Sequence, residues 1–288
     1  MDRKFFFVIN PIAGDSDKEA FETLLRPYCQ EKAWEYDIYK TNGQDDAAQI
    51  ADRICSFQPE TVVAVGGDGT VHMVAEQLMH VPIQLGIIPA GSANGMAREL
   101  KIPTDATDAL AMIERNKVRA IDVLTINERH HCIHISDIGF NAQIIRRFEE
   151  SQTRGIYSYA LQFLKEYTNP DIHQVEIETH GQVESYDAYM VAFANAQQYG
   201  TGAVLNPLGL LDDGLFEVCI VKDISLLSAL DFLVSNRPKP DYLEIKQVTQ
   251  VKVRVKEKAL LQVDGEMIDL VDEVVVKISP QCLRLVVP

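Results

Sequence analysis

Up to about residue 120 the chain alternates short apolar runs with stretches of helical period. Segments 4–10, 35–40, 61–65 and 84–88 read as strands. Between the first two, Ala20, Phe21, Leu24, Leu25 and Tyr28 recur at helical spacing, with Asp15, Ser16 and Asp17 available as caps. Ala47, Ile50, Ala51 and Ile54 repeat the pattern, and so do Val71, Val74, Ala75 and Leu78. Strand and helix in turn predict βα repeats and a mostly parallel sheet, whose ligands bind beyond the carboxyl ends of the strands.

Beyond that point the periodicity changes. Segments 118–126, 129–136, 174–179, 188–195, 215–221 and 242–255 are strand-like, and His180-Gly181 marks a turn. Helical spacing returns in two or three places, 157–167 and 226–233 among them. The predicted fold is therefore an α/β N-terminal domain with a parallel sheet, followed by a β-rich antiparallel C-terminal domain. The expected boundaries are 1–123, with 275–288 available to complete that domain, and 124–274.

Composition narrows the class. The 288 residues are 47% apolar and 24% charged, enough to build one large core or two modest ones. A net charge of −15 argues against nucleic acid as a partner and disfavours purely electrostatic attachment to an anionic membrane. Cys29, Cys55, Cys132, Cys219 and Cys282 are odd in number and lack CxxC spacing, so they read as thiols of a reducing compartment. His130, Cys132 and His134 share one face of a strand, but read as strand residues rather than a metal centre. The apolar run Phe5 to Ile9 is too short for a signal core, and no stretch has the length of a membrane span. A cytoplasmic protein is expected.

The chemistry concentrates at predicted strand ends. Gly66-Gly67-Asp68-Gly69-Thr70 follows the third strand and opens a helix. Such glycines let backbone N–H groups approach a polyphosphate, and the helix start adds the positive end of its dipole. Asp68 is suited to hold a Mg²⁺ that bridges phosphate oxygens. Asn10-Pro11-Ile12-Ala13-Gly14 closes the first strand, and Pro89-Ala90-Gly91-Ser92-Ala93-Asn94 closes the fourth. Either loop alone is a common turn. Three such loops at one sheet edge form a site. Asp264-Gly265-Glu266 follows an apolar strand, so its carboxylates emerge at a tight turn, able to accept a proton from an alcohol.

The order NPIAG (10–14), GGDGT (66–70), PAGSAN (89–94), LLDDG (210–214) and VDGE (263–266) resembles the diacylglycerol kinase catalytic-domain family, nearly end to end. That family includes soluble bacterial lipid kinases, sphingosine kinases and ceramide kinases. GGDGT is shared with NAD kinases and nearly with phosphofructokinases; the DDG and DGE elements select the lipid branch. The resemblance implies an ATP- and Mg²⁺-dependent kinase of a lipid hydroxyl, with a lipid-substrate domain over 124–274. It implies nucleotide contacts from Asn10, Pro11, Ile12, Ala13, Gly14, Thr41, Gly66, Gly67, Asp68, Gly69, Thr70, Val71, His72, Ser92 and Asn94. Asp264 and Glu266 would supply the general base beside Asp68, and a second, structural Mg²⁺ would rest on Leu210, Asp213 and Leu215.

Two departures accompany the match. Gly95-Met96 follows Asn94 where bacterial diacylglycerol kinases usually carry Asp, and His72-Met73 stands where they usually carry Asn-Glu. The GSxN start and His72 are closer to sphingosine-kinase-like members. The expected partner is a lipid met transiently at a membrane surface, entering between the two domains; a homodimer is left open. Lys252, Arg254 and Lys256 alternate with valines, as on a strand with one face on the core, or as a basic face for lipid headgroups. The alternatives are a kinase of a soluble acceptor such as NAD, for which a ribose-reading Asn-Glu motif is missing, and a nucleotide-binding pseudokinase acting as a sensor.

Overall fold

The structure, a computed structural model, describes residues 3–12, 18–139, 171–198, 204–223 and 241–288. The helices expected over 157–167 and 226–233, the caps Asp15 to Asp17, and Ala13 and Gly14 lie outside these residues. The chain forms two units, Met1–Ile121 with Gln281–Pro288, and Asp122–Pro280.

The first unit is α/β. Strands β1 (Lys4–Ile9), β2 (Glu35–Lys40), β3 (Thr61–Gly66) and β4 (Gln84–Pro89) are parallel, in the order β2-β1-β3-β4. The carboxyl end of β14 (Glu266–Val286) adds a fifth parallel strand, with Arg284 opposite Gln84. Phe5, Phe6, Phe7, Val8 and Ile9 are all buried, as are Val62, Val63 and Ala64. Such unbroken apolar strands belong to a sheet covered on both faces. The cover comes from α1 (Lys18–Glu31), α2 (Asp46–Phe57), α3 (Asp68–Leu78), the short α4 (Gly95–Glu99) and α5 (Ala106–Arg115). The sequence reading passes over α5, although Asp105 caps it by accepting from the amides of Thr107 at 2.9 Å and Asp108 at 3.0 Å.

The second unit is an antiparallel assembly, as the strand-rich pattern anticipates. Its path runs through β12 (Leu243–Val248), β11 (Phe216–Val221), β10 (Met190–Ala194), β7 (Ile135–Gly139), β13 (Gln250–Val263) and β14. The hairpin of β8 (His173–Thr179) and β9 (Gln182–Ala188) joins β13 through β8, around the expected His180-Gly181 turn. β5 (Val118–Ile126) pairs with β6 (His130–Cys132) and β14. The single strand expected over 129–136 is therefore two, and the long β14 was not foreseen as one element. Its residues 272–273, Asp-Glu, are exposed and break the apolar run.

Val251, Val253 and Val255 point into the core, and Lys252 and Arg254 point outward. Lys252 pairs with Glu273 at 2.8 Å, and Arg254 with Glu273 at 3.2 Å and Glu178 at 3.7 Å. Acidic neighbours thus offset the basic face that sequence alone would offer to headgroups. Phe193 and Phe216, both fully buried, anchor this core among Val191, Val218, Val253 and Leu261. Phe193→Ala is expected to destabilise the protein by about 3–5 kcal/mol, from lost transfer energy plus the cavity left behind. Urea unfolding checks it; a loss under about 1 kcal/mol would contradict the packing described.

Candidate active site

In the first unit the carboxyl ends of four strands align. Ile9 lies opposite Lys40 and Val65, and Gly66 lies opposite Pro89. The loops leaving these ends are tied to one another. The Asn10 amide donates to the Val65 carbonyl at 3.0 Å, and its side-chain Nδ2 donates to Thr70 Oγ1 at 3.2 Å. The Ala90 amide donates to the Gly66 carbonyl at 2.8 Å, and the Thr41 amide to the Ile9 carbonyl at 2.9 Å.

Glycine is required where the loops meet. A Cβ built on Gly91 would lie 2.4 Å from Gly67 Cα, a backbone atom that no rotamer change can move aside. The two loops therefore touch main chain to main chain. Asn94, in the left-handed conformation at the start of α4, clasps the second loop. Its Oδ1 accepts from the Gly91 amide at 2.9 Å, and its Nδ2 donates to the Gly91 carbonyl at 2.7 Å. Its side chain thus shapes the loop.

Asp68 opens α3, half-buried, and its Oδ1 accepts from the Met96 amide at 3.3 Å. The amides of Thr70 and Val71 donate to the Gly67 carbonyl at 3.0 and 3.1 Å, and the start of α3 at Asp68 and Gly69 carries the positive end of the dipole. The next helical turn carries His72, 3.6 Å from Glu76. Thr70 and Val71 are buried, whereas Pro11, Ile12 and Ser92 are exposed at the rim. Gly69 lies between Asp68 and Thr70 in the first turn of α3.

Sequence reasoning missed Asp46. Although buried, it accepts from Tyr39 Oη at 2.7 Å, the Asn42 amide at 3.0 Å and the Gly43 amide at 2.8 Å. It thereby fixes the turn that begins at Thr41. Burial works against its charge, but the three hydrogen bonds outweigh that and hold its pKa below the usual value. The hydrogen bond to Asp46, with burial second, pushes the Tyr39 hydroxyl up to about 12. The signal available was an Asn-Gly turn with an acid at its far end, the start of a helix.

In the second unit, Val263 pairs with Glu266, leaving a two-residue hairpin loop. Asp264 (φ 49°) and Gly265 (φ 91°) both occupy the left-handed region, the requirement of this tight turn. A register shift between Leu261 and Gln262 precedes it, a device that re-aims side chains beside a site. The Asp264 carboxylate accepts from Cys132 Sγ at 3.0 Å and from the amides of Ile133 and His134, each at 2.9 Å. Glu266 is exposed. The two acids of the turn therefore differ: one is bound into the fold and the other faces solvent. β6 ends at Cys132, so His134 lies beyond the strand, and the Cys132 thiol donates to Asp264.

The loop at 210–215 belongs to the same unit. Asp122, fully buried, accepts from the Gly214 amide at 2.7 Å, and Asp213 accepts from the Leu215 amide at 3.0 Å. The Leu211 carbonyl accepts from the Asp122 amide at 2.7 Å. Among the described residues no three His, Cys, Asp or Glu side chains converge as a metal-holding group.

The Asp46 arrangement predicts a pH dependence. Its folded pKa is depressed, so its stabilisation is complete above the ordinary Asp value of about 3.9 and is lost as pH falls through the folded value. The stability advantage of the wild type over Asp46→Asn should hold from neutral pH to about 5, then shrink in more acidic solution. Denaturation across pH checks it, and a difference independent of pH would refute it.

Residues 4–126 match the family described as Diacylglycerol kinase catalytic domain, and residues 135–287 the YegS C-terminal NAD kinase beta sandwich-like domain. A probable lipid kinase YegS-like protein of Yersinia enterocolitica is 32% identical over 65% of this chain, a region spanning 65% of that relative. One from Chromohalobacter salexigens is 31% identical over 77% of this chain and 74% of its own. The fold matches a diacylglycerol kinase of Bacillus anthracis str. Sterne at TM-score 0.79 and 20% identity, covering 99% of this chain and 97% of that one. It also matches an NAD kinase of Archaeoglobus fulgidus in complex with ATP at TM-score 0.56 and 12% identity, covering 98% and 93%. With both domain families matched in order, and with relatives of this identity and extent, the chain belongs to the YegS-like lipid kinase family.

Proposed function

We propose that this chain transfers the γ-phosphate of ATP to a hydroxyl of a lipid, a diacylglycerol or a sphingoid- or ceramide-type lipid, with Mg²⁺. The observation that carries the reading is the main-chain contact of Gly67 with Gly91 beside Asp68 and the start of α3. Loops packed this closely leave backbone N–H groups, not side chains, to meet a polyphosphate. Asn10, Thr41, Thr70, His72 and Ser92 supply polar groups along the same strand ends.

The residues fit a hard cation. Asp68 offers a half-buried carboxylate at the helix start, and the 210–215 loop offers the carbonyls of Leu210 and Leu215 with the Asp213 carboxylate, all oxygen donors. Mg²⁺ keeps several of its waters, so one carboxylate per ion suffices where Met73 and Gly95 carry none. When bound, it would neutralise charge on the phosphate oxygens.

Glu266 is the proton acceptor in this reading, because the Asp264 carboxylate already receives three donors. In a loose transition state the base orients the hydroxyl and takes its proton late. Asp264 instead shapes the turn. Leu208 and Leu210, each 52% exposed, give the second unit apolar surface suited to acyl chains during a transient visit to a membrane.

The test is to incubate the protein with γ-labelled ATP, Mg²⁺ and, separately, diacylglycerol micelles, a sphingoid base, ceramide and NAD. Label is expected in a lipid. Label in NAD alone would refute the lipid acceptor, and ATP binding with no labelled product would favour a sensor. Glu266→Gln is expected to lower kcat by roughly 10²–10⁴ with the KM for ATP little changed. Asp68→Asn should lower turnover as strongly. Near-normal rates in either variant would mean that the site is misassigned.

A further inference from the structure

The acidic hairpin turn is gripped from both sides by groups that lie outside it. Gln262, 1% exposed, accepts from the Gly265 amide through Oε1 at 2.7 Å. Its Nε2 donates to the fully buried Asp137 carboxylate and, at 3.4 Å, to the Ile135 carbonyl. With both ends of the amide committed, only one orientation satisfies all partners. The Ser136 hydroxyl fixes the Gln262 main chain by donating to its carbonyl at 2.6 Å.

On the other side, the Cys132 thiol and the amides of Ile133 and His134 close on the Asp264 carboxylate. That segment is itself pinned. Asn195, fully buried, donates to the Ile133 carbonyl at 3.2 Å, and the Asn195 and Ala196 amides donate to the His134 carbonyl. Burial, then the neighbouring Asp264 charge, pushes the Cys132 thiol well above its ordinary range. The thiol therefore stays protonated, a donor and not a nucleophile.

We infer that Gln262 and Cys132 are positioning residues, a two-sided clamp that fixes the turn so that the Glu266 carboxylate is held where it takes the acceptor's proton. The inference rests on the role proposed for Glu266. Neither residue touches substrate; both act through the backbone and the Asp264 side chain. Catalytic geometry tolerates little slack, and a displacement near 1 Å can cost roughly a hundredfold. Without the clamp, Glu266 would be held through the β13–β14 pairing and the Asp264 amide, which donates to the Ile135 carbonyl at 3.2 Å.

The test compares Cys132→Ala, Cys132→Ser, Gln262→Leu and Glu266→Gln in the full-length protein. Each is assayed with γ-labelled ATP and diacylglycerol micelles, and by amide hydrogen exchange across 262–268. Cys132→Ala and Gln262→Leu are expected to lower kcat roughly tenfold or more at unchanged KM for ATP, and to speed exchange at Gly265. Cys132→Ser, which keeps a donor, should recover most of the rate. The clamp is overturned if Cys132→Ser is no better than Cys132→Ala, or if exchange in Gln262→Leu matches the wild type. Wild-type kcat in Glu266→Gln would instead overturn the role of the turn on which the clamp rests. The exchange arm reads the clamp even if diacylglycerol accepts no label.

Discussion

Two backbones meet where Gly67 and Gly91 approach with no room for a side chain, and the arrangement of the strand-end loops in the first unit follows from that contact. Parallel strands bring loop after loop to one edge, but side chains would ordinarily hold the loops apart. Removing Cβ at these two places lets the third- and fourth-strand loops fuse into one surface of peptide groups. Asn94 then locks the second loop, and Asn10 ties the first to Thr70. The result is a polar edge whose main chain is fixed before any ligand arrives, which in the proposed reading would lower the ordering cost of binding a phosphate.

The second unit solves a different problem, the placement of a carboxylate on a turn. Hairpin tips are ordinarily the least constrained part of a sheet. Here the tip is drawn down by Asp264, which satisfies two amides and a thiol, and by Gln262, which reaches forward to Gly265. The buried acids Asp137 and Asp122 belong to the same pattern, each accepting from a loop or side chain that it orders. Glu217 does likewise for Asn206 and Gln247, and burial raises its pKa despite those partners. Polar groups in this core organise loops, and the apolar face of the sheet supplies cohesion.

Much of this was legible in the sequence where one signal dominated. The strands β1 to β4 are short, apolar and bounded by turn formers, so their positions could be read within about a residue. GGDGT and VDGE marked their loops because glycine and acid together are chemically specific. What stayed hidden depends on contacts between distant residues. Nothing near Asp264 in sequence shows that Cys132, Ile133 and His134 would enclose it. Asp46 looked like an ordinary helix-start acid until the fold brought Tyr39 to it. β14 is hard to read as one strand because the exposed Asp272 and Glu273 interrupt its pattern, and the signal for α5 is only its Asp105 cap and a short apolar stripe.

The joined glycine loops are the proposed place where a triphosphate binds. Calorimetric titration of ATP with Mg²⁺ into the wild type and into Gly91→Ala tests this most directly, with circular dichroism confirming that the variant is folded. The Cβ added at Gly91 must push the loops apart, so the folded variant should bind ATP at least roughly tenfold more weakly, a loss of about 1.4 kcal/mol. Equal affinity in the two proteins would contradict the account, because the nucleotide would then be held by something other than this edge.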